Sequence, residues 1–477
     1  MSSASLYMPH LVLVLGAIIL LGLGAWNQIR TALYPIAVAS VIAAGIACLA
    51  AYPSAPPTDA ALAAFFDTGA LSAFYLPVLC LLGVVALFFF GPFAMERQFD
   101  RDEPYAMLLF ALCGALLLAG GSGWLSLFLG LELLSLPLYV LIASHPMHCS
   151  SDAGTEAALK YFVLGATASA CLLFGIALVY AGSGSLSITT SLAQPEGANT
   201  VLLGLCFVLA GFGFKLALAP FHLWAADVYQ GAPAPVSGFL ASVAKASAVA
   251  ALLRIAMALG PQFWPAFTVG LWIMAAASMV LGNFAALRQT SLKRMLGYSS
   301  VAHMGYLLMA VLSVREAGPG PVLFYSVTLA VMDLGAFGGL SLLSSRESEA
   351  DQLDDVRAQG EIRPWSAALL GLSLLSLAGL PPTAGFTGKL FVFRAAMSAG
   401  HLWLAAIGIV AAIVSIAYYL RALAALYLRK ASINWTPPVV GISGSLAIIL
   451  VFGALLLLGI IPTPVYDAVA ASGIGMP

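Results

Sequence analysis

The sequence predicts an all-α polytopic membrane protein of about 14 transmembrane helices, with two inverted five-helix repeats that each contain a broken helix. Three observations carry this prediction. Hydrophobic residues make up 62% of the 477 and charged residues only 8%, with mean hydropathy +1.01, a composition outside both the soluble and the disordered ranges. Apolar segments of roughly 20 residues, the length of one bilayer crossing, recur from end to end. The seventh and twelfth of them are long and interrupted by Gly and Pro close to a lysine.

Three segments, 9–26, 33–52 and 72–91, occupy the N-terminal part, 1–104. The first lacks the positive n-region and small-residue cleavage site of a signal peptide and reads as a retained span. The next five, 105–120, 122–143, 157–181, 200–226 and 234–258, make up a first repeat over 105–258. Five more, 263–287, 295–313, 320–344, 364–396 and 401–427, make up a second over 259–427, and 440–461 is a last crossing within 428–477. In the seventh, Gly211 and Gly213 precede Lys215 and Pro220 follows it. In the twelfth, Pro381, Pro382 and Gly385 precede Lys389. Non-helical backbone at membrane depth survives only where protein buries it or a wet cavity meets it, and paired interruptions in two halves mark transporter sites. The two segments are five crossings apart, an odd number, so they run in opposite directions and the repeat is inverted.

Loop cations set the orientation. Loops after odd-numbered helices carry Arg30, Arg97, Arg101, Arg288, Lys293, Arg294, Arg346, Arg357, Arg363, Arg429 and Lys430, whereas loops after even-numbered helices carry Arg315 alone. The positive-inside rule then places the odd loops in the cytoplasm and both termini outside. A formal charge of −1 offers no basic face to nucleic acid. The six cysteines (Cys48, Cys80, Cys113, Cys149, Cys171, Cys206) form no C-x-x-C pair, which supports neither an iron–sulfur site nor a disulfide framework. No phosphate loop, nucleophile elbow or zinc motif is present. Energy for transport therefore comes from another chain or an ion gradient.

Four ionisable residues sit near the middle of apolar segments: Glu132, Lys215, Lys245 and Lys389. Each such charge costs roughly 2.5–3.5 kcal/mol on insertion scales, so together they point to an ion pathway. Glu132 and Lys215 are the natural pair, either a two-position proton switch or a static salt bridge that fixes packing. Lys245 lies 11 residues into its span, roughly 16 Å by helical rise, too deep to snorkel to an interface. Neither it nor Lys389 has an obvious acidic partner. His222, seven positions after Lys215, shares its face if the helix is continuous, although Pro220 intervenes. For His222 and for His303, proton relay and hydrogen-bonded packing stand side by side. Asp333 needs a partner, with His303 or Lys389 as candidates. Lys160, Arg254 and Arg394 lie close enough to helix ends to snorkel, and Arg421 is left open.

The run GFKLALAPFHLWAADVYQGAPAPVSGFLASVAKA (213–246), with SLKRMLGYSSVAHMGYLL (291–308) and LAGLPPTAGFTGKLFVF (377–393), resembles the antiporter-like proton-pumping subunits of respiratory complex I. DVYQGAP, Asp227 to Pro233, is similar to the N-type branch, because the sister L and M types show alanine–histidine where Val228 and Tyr229 stand. The M type has glutamate at the place of Lys389, and the L type carries a C-terminal lateral helix for which this chain leaves no room. The resemblance implies a Glu132/Lys215 pair, a connecting Lys245 and a terminal Lys389, with NADH-to-quinone electron transfer driving proton pumping. It implies no cofactor on this chain, with NADH, FMN, iron–sulfur clusters and quinone on other subunits of the complex. Implied partners are the sister antiporter-like and small hydrophobic membrane-arm subunits, the peripheral redox arm indirectly, and the lipid bilayer of a bacterial inner membrane. The alternatives are a subunit of a multi-subunit cation/proton antiporter or membrane-bound hydrogenase, and a non-pumping scaffold. Two residues depart from the pattern: Ala226 replaces a proline, and Asp333 stands where a neutral residue such as asparagine is expected.

Overall fold

A computed structural model of the chain describes residues 5–24, 30–52, 65–97, 99, 101–144, 151–193, 195–345, 348–429 and 440–463. Cys149, Arg346, Lys430, the side chain of Arg30 and both chain ends lie outside the described residues. The expected crossings are all present as helices: α1 Met8–Gly24, α2 Arg30–Ala51, α3 Ala70–Glu96, α4 Asp102–Gly120, α5 Trp124–Ala143, α6 Ser151–Ser183, α7a Ala198–Lys215, α8 Ala234–Ala258, α9 Trp264–Leu287, α10 Leu292–Leu312, α11 Gly320–Leu343, α12a Pro364–Ala378, α12b Ala384–Ser398, α13 Leu402–Leu428 and α14 Ile442–Ile460. A short α7b, Ala225–Gly231, completes the seventh. Helices prevail because a bilayer offers no partner for backbone N–H and C=O, and only a helix satisfies them within one segment.

Both expected breaks are real. The seventh segment leaves helical form after Lys215 and resumes at Ala225, and the twelfth leaves it after Ala378 and resumes at Ala384. Gly379 ends α12a with φ +81°, a conformation glycine adopts without a steric penalty. In α8 the α-helix widens into a π-helical turn over Leu240–Ala244, immediately before Lys245. Such turns are rare and often lie at functional sites.

The packing repeats with an offset of five. Helix α4 lies along α5 as α9 lies along α10, α6 lies against α7a as α11 lies against α12a, and α8 meets α4 as α13 meets α9. Close approach depends on small residues. A Cβ added to Gly114 of α4 would fall 2.3 Å from the backbone nitrogen of Leu134 in α5. Burial is uneven in a way that matters for function. The central windows of α8, α10 and α11 are 100%, 94% and 89% buried inside the protein, against about 28% for α2 and α6. Three helices therefore form an inner column screened from lipid, the place where polar side chains cost least.

Candidate functional site

The first ionisable cluster lies where α7a breaks. Lys215 is the last residue of α7a, at the negative end of the helix dipole, which favours a cation. Its Nζ donates to Ser135 Oγ at 2.8 Å and to Tyr161 OH at 3.2 Å, and lies 5.7 Å from the centre of the Tyr161 ring. Glu132 stands one turn before Ser135 on α5 and accepts a hydrogen bond from Ser169 Oγ of α6. The expected direct Glu132–Lys215 contact is not formed; Ser135 occupies the lysine and Ser169 the carboxylate. A cavity of about 10 Å³ lined by Ser135, Tyr139, Ser169 and Lys215 lies between the two serines and the lysine, about the size of one water molecule. The broken backbone is not left unsatisfied. Leu218 N donates to Gly213 O, Trp224 Nε1 to Phe214 O, and Ala219 N to Ser278 Oγ.

Lys245 occupies the inner column. Its Nζ donates to Ser300 Oγ of α10 at 2.6 Å and lies 5.5 Å from the Tyr229 ring centre. One turn along α10, buried His303 shares hydrogen bonds with Tyr325 OH at 2.7 Å and Tyr419 OH at 3.1 Å, and Tyr419 OH also meets Ser299 Oγ. The hydroxyls come from α10, α11 and α13, so this chain of bonds ties three helices of the second repeat together.

Lys389 marks the second break. Its Nζ donates to the carbonyls of Leu377 at 2.8 Å and Ala378 at 3.1 Å, the last residues of α12a, and lies 5.4 Å from the Tyr306 ring centre. The His303 and Tyr306 rings meet edge to face at 5.7 Å. Lys245, His303 and Lys389 thus follow one another through the buried interior, with Ser300 one turn before His303 on α10 and the Tyr306 ring between His303 and Lys389.

Several sequence expectations change. Lys245, which has no acidic partner in the sequence, lies within electrostatic reach of Asp333, whereas His303 and Lys389 are not the partners of that carboxylate. The same-face argument for His222 fails because the helix ends at Lys215, and its Nδ1 is buried without a hydrogen-bond partner. Arg254 does not snorkel. Its guanidinium pairs with Asp67 at 2.8 Å and donates to Ala119 O and Ser72 Oγ. Arg421 donates to Leu287 O and Gln289 O, capping the end of α9. Arg394 is exposed at the end of α12b and Lys160 is 43% exposed, both in keeping with an interfacial place. Lys160 pairs there with Glu156 and Asp227, and Asp227 pairs in turn with Arg294 at 2.5 Å. Burial pushes the Asp227 carboxyl up, but hydrogen bonds and charge from Lys160 and Arg294 outweigh it and hold the group below its usual range.

Sequence reading missed the hydroxyls: Ser135, Tyr161, Ser169, Tyr229, Ser300, Tyr325 and Tyr419. Helical spacing was an available signal for two of them, since Ser135 lies three residues from Glu132 and Ser300 three from His303. Among the described residues no cluster of His, Cys, Asp and Glu could hold a metal ion.

Residues 121–415 match the family described as NADH:quinone oxidoreductase/Mrp antiporter, TM. The chain is 44% identical over 475 residues to NADH-quinone oxidoreductase subunit N 1 of Solidesulfovibrio magneticus, covering 98% of this chain and 97% of the relative. A chain of respiratory complex I from Thermus thermophilus aligns with TM-score 0.82 and 33% identity over 97% of this chain and 100% of that one. A chain of the Mrp complex from Dietzia shares the fold, with TM-score 0.85 at 20% identity, over 99% of this chain and 97% of that one.

Proposed function

Because the chain belongs to the NADH:quinone oxidoreductase/Mrp antiporter membrane-subunit family, with full-length relatives among the N subunits, we propose that Glu132, Lys215, Lys245 and Lys389 carry its protons, with His303 between the last two. The chain is a proton-translocating membrane-arm subunit of NADH:quinone oxidoreductase, and it supplies the translocase rather than the redox chemistry. NADH, FMN, iron–sulfur clusters and quinone act on other subunits, and redox energy reaches this one as a conformational or electrostatic change.

One observation carries the residue assignment: Lys215 and Lys389 each sit at a helix break, and buried Lys245 and His303 lie in the column between them. A proton enters at the Glu132/Lys215 station, where the one-water cavity closes the gap between Ser169 and Lys215. Protonation there repels charge on Lys245, and the proton passes through the hydroxyls around His303 to Lys389. Residues 105–258 and 259–427 are the two half-channels. The termini lie in the periplasm of a bacterial inner membrane, and the neighbours are sister antiporter-like and small hydrophobic subunits.

The test is NADH-driven pumping in vesicles bearing the assembled Lys215→Ala complex. NADH oxidation with an artificial acceptor stays normal, while quinone-coupled turnover and pumping fall at least about a hundredfold, the lower end of what a proton-transfer group contributes. Normal pumping in an intact complex would make Lys215 a packing residue and leave the chain a scaffold.

A further inference from the structure

We infer that Asp333 is a proton-carrying carboxylate at the centre of the pathway, sharing one mobile proton with Lys245. The inference deepens the relay reading above and rests on it.

Asp333 lies on α11, 2% exposed, and its Oδ2 has no hydrogen-bond partner. Four residues on, Phe337 stacks on Tyr229 at 5.4 Å and 15°. A Cβ added to Gly238 of α8 would lie 3.2 Å from the Phe337 side chain and 3.7 Å from that of Leu334. Positions four apart share a helix face, so Asp333 belongs to the face of α11 turned toward α8 and Tyr229. Lys245 Nζ stands over that same Tyr229 ring. The Tyr229 hydroxyl is also buried, beside the Ser300 that accepts from Lys245. Charge on Asp333 acts on Lys245, Tyr229, Tyr325 and Tyr419. Lys245 is the one cation of this set.

An isolated carboxylate in so buried a place is far too costly to stay charged, so it is either protonated or balanced by a cation. Lys245 uses one hydrogen bond on Ser300, and an ammonium has three donors. No direct ion pair joins Lys245 and Asp333, so the transfer runs through an intervening hydroxyl or water: an N–H bond of the Lys245 ammonium breaks, an O–H bond forms on Asp333 and the carrier returns to its starting state, leaving a neutral amine and a neutral acid. The reverse step restores the two charges. Neither state carries net charge, so the pair holds its proton in a low-dielectric column at little cost. A second proton arriving from the Lys215 side makes the pair cationic, and neutrality returns when one leaves toward His303. The composition of the Glu132/Lys215 station thus recurs at the midpoint.

Asp333→Asn, Asp333→Glu and Lys215→Ala complexes, checked for assembly by native gel and for NADH oxidation with an artificial acceptor, decide the matter. Asp333→Asn is expected to cut pumping by about a hundredfold or more and to remove a carboxyl band from the redox-induced infrared difference spectrum. Asp333→Glu restores pumping with a shifted pH profile. Should Asp333→Asn not assemble, Asp333→Glu decides alone, because a pH profile identical to wild type would make the carboxylate structural. Loss of pumping in Lys215→Ala with normal pumping in Asp333→Asn would overturn this inference and leave the relay standing. Normal pumping in both would overturn the relay as well.

Discussion

Replacing Ser300 with alanine tests the contact that ties Lys245 to the rest of the pathway. Ser300 Oγ accepts from the ammonium at 2.6 Å, both residues are at most 2% exposed, and among the described residues the ammonium makes no other hydrogen bond. Hydrogen bonds to charged groups contribute about 1.5–3 kcal/mol, and the Tyr229 face at 5.5 Å retains part of the cation's stabilisation. The net loss is therefore placed near the lower end, about 1.5–2 kcal/mol. Holding a proton on Lys245 becomes harder by that amount, which lowers the pumping rate roughly 10- to 30-fold if the step through Lys245 limits turnover. The assay is the initial rate of NADH-driven acidification in vesicles, normalised to NADH oxidation with an artificial acceptor. Ser313→Ala is the control, since Ser313 Oγ bonds only the Met309 carbonyl one turn back and should leave the rate unchanged. A wild-type rate in Ser300→Ala would refute the reasoning that this contact sets the rate of the step through Lys245.

Lys389 separates charge from proton release. Lys389→Met leaves the Leu377 and Ala378 carbonyls without their donor, at about 1–3 kcal/mol each, and should lower both melting temperature and pumping. Lys389→Arg keeps donors for those carbonyls but cannot release a proton, so stability recovers while pumping stays low; recovery of both would make the lysine a helix cap only. The Asp67–Arg254 pair gives a pH dependence outside the crossings. Burial raises the Asp67 carboxyl, but the charge of Arg254 and hydrogen bonds from Ser72 and Arg254 bring it below its ordinary value. A depressed folded-state pKa stabilises above the unfolded value near about 3.9, and that stability is lost as pH falls through the folded value. The melting-temperature gap between wild type and Asp67→Asn should therefore be full above about pH 5 and close in more acid buffer; a gap independent of pH would contradict the pairing.

Legibility in the sequence followed the length scale of the physics. The crossings could be read because the bilayer imposes one requirement, roughly 20 apolar residues per span, on every segment separately. The breaks at Lys215 and Lys389 were visible for a similar reason, since Gly and Pro act on their own backbone. The four charges in mid-segment stood out because each violates the local rule. Partner choice was another matter. Asp333 was matched to His303 or Lys389, and Arg254 to an interface, because nothing local says which helix face meets which. The hydroxyls around the lysines were overlooked because serine and tyrosine are common in membrane helices and carry no cost that marks them.

The sequence by itself determined the class, the crossings, the two broken helices and the identity of the buried charges, all consequences of how single segments meet lipid. Tertiary structure alone decided that Ser135 and Ser169 separate Glu132 from Lys215 and that α8, α10 and α11 form the inner column. It also set Asp333 within electrostatic reach of Lys245 and paired Arg254 with Asp67. Those facts depend on helix rotation and crossing, which are set by small-residue contacts such as Gly114 against Leu134. Such contacts join residues far apart in the chain, so no single stretch of sequence encodes them.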